Sequence, residues 1–292
     1  MLGEVITAIV TPFGPAGSVD LGAFRELANH LVDHGCDGLV VCGTTGESPT
    51  LSDDEKLELF AAAKGAVGDR ATIIAGTGTY DTHHSVELTK RAHELDVDAF
   101  LVVTPYYSKP PQRAIVRHFQ EIAGATDKPI MAYNIPARVV IDIESKTIAQ
   151  LAEIENVVAV KQAYDVMEEA RFIAQETRLD LYSGDDPITF DFLELGAVGV
   201  VSVTGHVWGD QIKQMIRRYR DGDVDGARAL HEEMQPAYDL LKVTTNPIAI
   251  KTALNLLGHE VGGFRLPMVE ASEDEAAQVR ACLERAGVLQ TV

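Results

Sequence analysis

The sequence predicts an α/β fold, a (β/α)8 TIM barrel with a C-terminal helical extension. Three observations lead there. Short apolar and β-branched runs recur roughly every 20–35 residues with amphipathic stretches between them, the pattern of repeated βα units and a parallel sheet. The runs number eight, the count that closes a barrel. No G-x-G-x-x-G follows the first run, as a doubly wound dinucleotide fold would require.

In chain order the expected strands are Val5–Val10, Gly38–Cys42, Thr72–Ala75, Ala99–Val103, Pro129–Ala132, Val157–Val160, Asp180–Tyr182 and Val198–Val203. Gly76-Thr77-Gly78 reads as a turn. Ser52 stands three residues ahead of Glu55, a capping-box pattern, and opens a helix through Leu57, Leu59, Phe60 and Ala63. Past residue 207 the strand pattern stops, and helices are expected over Asp210–Arg220, Val224–Leu241 and Ile248–Leu257. Residues 1–207 are therefore assigned to the barrel core, and 208–292 to a barrel-completing helix and a helical extension.

Composition excludes several classes of function. A net charge of −19 and a pI near 4.8 argue against nucleic acid or an anionic membrane as partner, since both require positive surface. No apolar stretch reaches the ~20 residues of a membrane span. The opening MLGEVITAIVTPF lacks a basic n-region and a cleavage site, so a cytoplasmic location is expected. Cys36, Cys42 and Cys282 have no metal-type spacing and read as buried thiols. His83 and His84 are adjacent, which directs their side chains apart, and the other histidines are scattered, so no metal site is expected. No cofactor motif appears.

In a barrel of this kind the active site is built at the carboxyl ends of the strands. Lys161 closes the run Val157–Val160, where a charged ammonium is disfavoured unless paired or neutralised. Burial can lower an amine pKa by about 3–5 units, which suits a lysine to Schiff-base formation with a carbonyl. The competing reading is a strand-end lysine that snorkels to water or pairs with an acid. Tyr133, at the end of strand five, can relay protons as a phenol or serve simply as packing. Thr44 can orient that phenol or be an ordinary turn residue, and Gly43 and Gly46 let the backbone and Thr45 approach a small carboxylate. Arg138 offers a planar fork to a carboxylate, or makes a surface salt bridge.

Eight spaced motifs then carry a resemblance over nearly the whole chain. They are AIVTPF at 8–13, GTTGESPTL at 43–51, TPYY at 104–107, YNIPAR at 133–138, VK at 160–161, SGDD at 183–186, GVVSV at 199–203 and NPIAIK at 246–251. In that order they resemble the lysine-dependent pyruvate aldolases and lyases, and most closely the dihydrodipicolinate synthase family. The resemblance implies a Schiff base between Lys161 and pyruvate, and a proton relay of Tyr133, Thr44 and Tyr107, with Tyr107 supplied across a subunit interface. It further implies that Thr45, Gly184 and the backbone near Val201 contact substrate, while Arg138 receives the carboxylate of L-aspartate 4-semialdehyde. It also implies a homotetramer of tight dimers, a place in diaminopimelate and lysine biosynthesis, and no external cofactor, because the protonated imine is itself the electron sink.

Two departures qualify this. The segment after the lysine reads VKQAYD, whereas the family usually carries a glutamate and a threonine there. Lys56, Tyr80 and His84 occupy positions that in feedback-inhibited members form a lysine pocket, and a cation at 56 would repel lysine, so weak or absent inhibition is expected. The alternative assignments are a 2-keto-3-deoxy sugar-acid aldolase or a lyase like that for N-acetylneuraminate. Arg138 discriminates against both, since sugar-acid members generally lack it. A phosphate-binding barrel is disfavoured by Asp185 and Asp186 after strand seven.

Overall fold

A computed structural model describes residues 2–290. Eight parallel strands close into a barrel in the order β1 to β8: Val5–Ala8, Gly38–Val41, Thr72–Gly76, Ala99–Val103, Ile130–Asn134, Val157–Gln162, Asp180–Ser183 and Gly199–Ser202. The helices on the outside are α1 (Leu21–Asp33), α2 (Asp53–Val67), α3 (Thr82–His93), α4 (Gln112–Ala123), α5 (Pro136–Val139), α6 (Ser145–Leu151), α7 (Met167–Glu176), α8 (Thr189–Leu195) and α9 (Gly205–Arg220). Beyond them lie α10 (Val224–Glu233), α11 (Gln235–Val243), α12 (Ile248–Leu256) and α13 (Glu273–Arg285). No helix among the described residues is long and apolar enough to cross a membrane.

Alternation along the strands builds two cores. Ile6, Val40, Ile74, Leu101, Met131, Tyr133, Tyr182 and Val201 point into the barrel, while the larger cluster, with Val41, Phe100, Ala132 and Val160, packs against the helices. Both faces of the sheet are covered, so the strands read as continuous apolar runs rather than as alternating ones. The Ser52–Glu55 capping box forms in both directions, with Glu55 donating its amide to Ser52 Oγ at 3.3 Å and Ser52 donating its own to Glu55 Oε2 at 2.9 Å. The three cysteines are buried and free.

Several expectations need correction. Strands five and six continue through Asn134 and Gln162, so Tyr133 and Lys161 lie within the sheet rather than beyond it. Gly76 ends β3 instead of opening a turn: a Cβ there would lie 2.5 Å from the Cys42 carbonyl oxygen, and one at Gly78 would lie 2.4 Å from the Val103 amide nitrogen. These glycines permit close backbone approach. The helix expected over 224–241 is broken at Met234, with Pro236 in the first turn of α11, and α13 was not expected.

Candidate active site

The mouth of the barrel holds a cavity of about 500 Å³ whose lining includes Gly43, Thr44, Tyr106, Tyr133 and Arg138 together with Ser48, Lys56, Tyr80 and His84. The loop after β2 makes the first part of this wall by tight folding. Gly46 and Ser48 donate their amides to the Gly43 carbonyl at 3.1 and 3.3 Å, and Glu47 donates to Thr44 at 3.1 Å. Cys42 and Glu47, which bracket the loop, adopt left-handed φ of 56° and 55°. Tyr107 and Val140, at φ 69° and 71°, do the same on neighbouring loops. Strained backbone of this sort costs about 1–3 kcal/mol per residue and persists where surrounding contacts hold it in place.

At Glu47 the holding contacts are visible. Its buried carboxylate accepts from Lys251 Nζ at 3.1 Å and from the Arg265 amide at 3.2 Å. Lys251 also donates to the carbonyls of Thr11 and Gly263, and lies over the rings of Phe13 and Phe264. The C-terminal helices thus grip the loop that carries Thr44 and Thr45. Asn246, at the start of the same segment, donates its amide to Thr45 Oγ1 at 2.9 Å, and its carbonyl accepts from Arg138 Nη2 at 3.4 Å.

Lys161 and Tyr133 sit side by side on β6 and β5 as paired residues. Lys161 is 5% exposed, and its Nζ lies 4.2 Å from the centroid of the Tyr133 ring. Among the described residues its ammonium has no hydrogen-bond or ion-pair partner. Tyr133 connects the two halves of the site, because the same ring also lines the cavity. Asp185, at the end of β7, has its carboxyl pushed up by burial and by Asp186, with Lys161 acting in the opposite direction.

The structure brings Thr44, Tyr133 and Arg138 onto one cavity wall with Lys161 against Tyr133. No hydrogen bond joins Thr44 to the Tyr133 phenol among the described residues, so the expected orienting contact is not made in this state. Tyr107 is not on the wall; its side chain is 92% exposed. Thr45 is buried behind Thr44, Val201 faces the barrel interior, and Gly184 is the close-approach point where β7 meets Ala163, whose Cβ would lie 2.7 Å from an added one. Asp186 is not a free acid that repels anions. It accepts from the amides of Val203 and Thr204 at 2.9 and 3.1 Å and from the hydroxyls of Thr204 and Ser202, and so shapes the turn after β8. The roles of Glu47, Lys251, Asn246 and Asp186 do not follow from the sequence pattern, although Asn246 and Lys251 bound the motif NPIAIK.

The model of the dihydrodipicolinate synthetase family matches residues 1–286. The 4-hydroxy-tetrahydrodipicolinate synthase of Moorella thermoacetica is 46% identical over 98% of this chain and 99% of its own length, and that of Acidothermus cellulolyticus is 49% identical over 98% and 92%. Among solved structures, the enzyme of Cyanidioschyzon merolae with lysine bound superposes with a TM-score of 0.97 at 43% identity, covering 99% of both chains. The chloride-inhibited enzyme of Acinetobacter baumannii in complex with pyruvate gives 0.95 at 34% identity, covering 99% of this chain and 100% of its own.

Proposed function

The chain belongs to the dihydrodipicolinate synthetase family, and from that membership we propose that it condenses pyruvate, held as an imine on Lys161, with L-aspartate 4-semialdehyde to give 4-hydroxy-tetrahydrodipicolinate. The observation that carries this reading is the pairing of Lys161 with Tyr133, a nearly buried amine that makes no salt bridge among the described residues and is held against a phenol on the cavity wall.

The steps balance on these residues. The neutral amine of Lys161 adds to C2 of pyruvate, and loss of water leaves a protonated imine. Removal of a C3 proton gives the enamine, whose C3 attacks the aldehyde carbon, and the resulting alkoxide takes up a proton. The amino group of the semialdehyde then attacks C2 and displaces Lys161, closing the ring and regenerating the free amine. The stages move protons at the carbinolamine oxygen, at C3, at the new hydroxyl and, in ring closure, from the attacking amino nitrogen to the departing Lys161 nitrogen. Tyr133 is the group placed to move them, with Thr44 beside it on the wall. Thr45, the turn at Gly184 and the backbone at Val201 are assigned to the keto-acid carboxylate, and Arg138 to the carboxylate of the semialdehyde.

Tyr107 is assigned to the relay of a neighbouring subunit. A phenol 92% exposed on a left-handed loop residue fits that role, and with it an assembly of tight dimers into a tetramer. The acceptor test is direct: purified protein is given pyruvate with either aspartate semialdehyde or a 2-keto-3-deoxy sugar acid. Consumption of the semialdehyde is expected, and cleavage of the sugar acid alone would replace this reading.

A further inference from the structure

The chain leading into α12 meets the loop after β2 at two points. Lys251 Nζ lies 3.1 Å from the Glu47 carboxylate and anchors the loop. Two residues earlier in that loop, Thr45 Oγ1 accepts from Asn246 Nδ2 at 2.9 Å. An amide nitrogen only donates, so the Thr45 hydroxyl must be the acceptor in this bond, and its own proton is left unspent. Among the described residues that hydroxyl makes no other hydrogen bond. Thr45 is 3% exposed, so bulk water does not take the proton either. A buried hydroxyl with an unused donor is a group to be completed by a ligand acceptor.

The other end of the same amide narrows its role. Asn246 Oδ1 is buried with no hydrogen-bond partner, so the bond to Thr45 is the only one the side chain makes among the described residues. Burying an unpaired carbonyl is destabilising, and stability therefore does not account for an asparagine here; its bond to Thr45 does. We infer that Asn246 is a positioning residue of the keto-acid subsite: by donating to Thr45 Oγ1 it reserves the hydroxyl proton for the keto-acid carboxylate. The inference rests on the assignment of Thr45 to that carboxylate given above.

Two further features agree. A hydroxyl that accepts one hydrogen bond is polarised and donates the next more strongly, so the amide both orients Thr45 and sharpens it as a donor. The main chain of Asn246 does something separate: its carbonyl accepts from Arg138 Nη2 at 3.4 Å. One residue of the C-terminal extension thus touches both side chains assigned to substrate carboxylates, Thr45 through its side chain and Arg138 through its backbone. Side-chain substitution at 246 removes the first contact and leaves the second carbonyl in the chain.

The experiment is a double-mutant cycle read by borohydride trapping of pyruvate on Lys161, with the half-saturating pyruvate concentration as the measured quantity. Thr45→Val removes the hydroxyl and should raise that concentration about tenfold or more. Asn246→Leu keeps the volume and removes the donor, so the hydroxyl is free to turn away; the expected rise is about fivefold, with KM for aspartate semialdehyde nearly unchanged. In the double variant the Asn246 substitution should add less than about twofold to Thr45→Val, because its effect runs through the hydroxyl. Asn246→Asp, close in shape but able only to accept, claims the hydroxyl proton for itself and should raise the concentration more than Asn246→Leu does. Effects that multiply independently in the two backgrounds overturn the proposal, since a substitution that merely loosens the fold acts whether or not the hydroxyl is present. Unchanged trapping in both Asn246 variants overturns it as well. Unchanged trapping in Thr45→Val would instead count against the assignment of Thr45 itself, so the two failures are distinguishable.

Discussion

Two lysines of this molecule are buried at the same carboxyl-terminal end of the barrel, and their surroundings make them different reagents. Lys251 is 0% exposed and saturated: one carboxylate, two carbonyls and two aromatic rings surround its ammonium. Burial pushes its pKa down while Glu47 acts the other way, yet there is no vacancy for a carbonyl compound beside it. Lys161 is 5% exposed, makes no hydrogen bond or salt bridge among the described residues, and stands next to a phenol that lines a cavity. The contrast teaches that desolvation alone does not make a nucleophile. A reactive amine needs an unclaimed lone pair and a place for its electrophile, and a saturated amine is a strut.

The largest effect that sharpens this contrast is at the phenol. Tyr133→Phe keeps the ring against Lys161 and removes the proton carrier, so kcat should fall by about 10²–10⁴-fold with the fold intact by circular dichroism. A fall below tenfold would move the relay elsewhere. Next comes the strut. Glu47→Gln leaves the Lys251 ammonium buried without its counter-charge, and denaturant unfolding should show a loss of about 3–5 kcal/mol. An unaffected midpoint would mean that the pair holds little.

Arg138→Ala tests what the reactive lysine serves. Losing a charge-assisted hydrogen bond costs about 1.5–3 kcal/mol, so KM for the semialdehyde should rise by about 10–150-fold while pyruvate trapping on Lys161 persists. Equal loss of both steps would contradict the division of labour. The smallest effect concerns a third buried lysine. Lys56 is 5% exposed, lines the cavity, and has Asp53 at 3.6 Å, with His84 also on that carboxylate. An ammonium already in place disfavours a second one, so millimolar lysine should leave the rate nearly unchanged; strong inhibition would break that reading.

How much of this was legible in the sequence depended on distance along the chain. Strands announced themselves by β-branched runs, α2 by Ser52 and Glu55, and the site by residues at strand ends, because all of these are local signals. The same capping pattern stands at Ser272 and Glu275, with both hydrogen bonds made, so α13 could have been found by the rule that found α2. Pro236 likewise marked the break before α11. Gly76 was misread because its reason is the Cys42 carbonyl on the neighbouring strand. The Glu47–Lys251 pair joins residues 204 apart, and Asp186 bonds groups 16 to 18 residues away in a separate loop. Nothing in a one-dimensional pattern specifies which acid meets which amine.

The central claim is that Lys161, among several buried lysines, is the amine that captures the keto acid. Borohydride reduction in the presence of pyruvate, followed by peptide mass mapping, tests it most directly. The expected result is a single adduct on the peptide containing Lys161, none on the peptides with Lys251 or Lys56, and no adduct in Lys161→Ala. An adduct on Lys251, or labelling that survives in Lys161→Ala, would contradict the account.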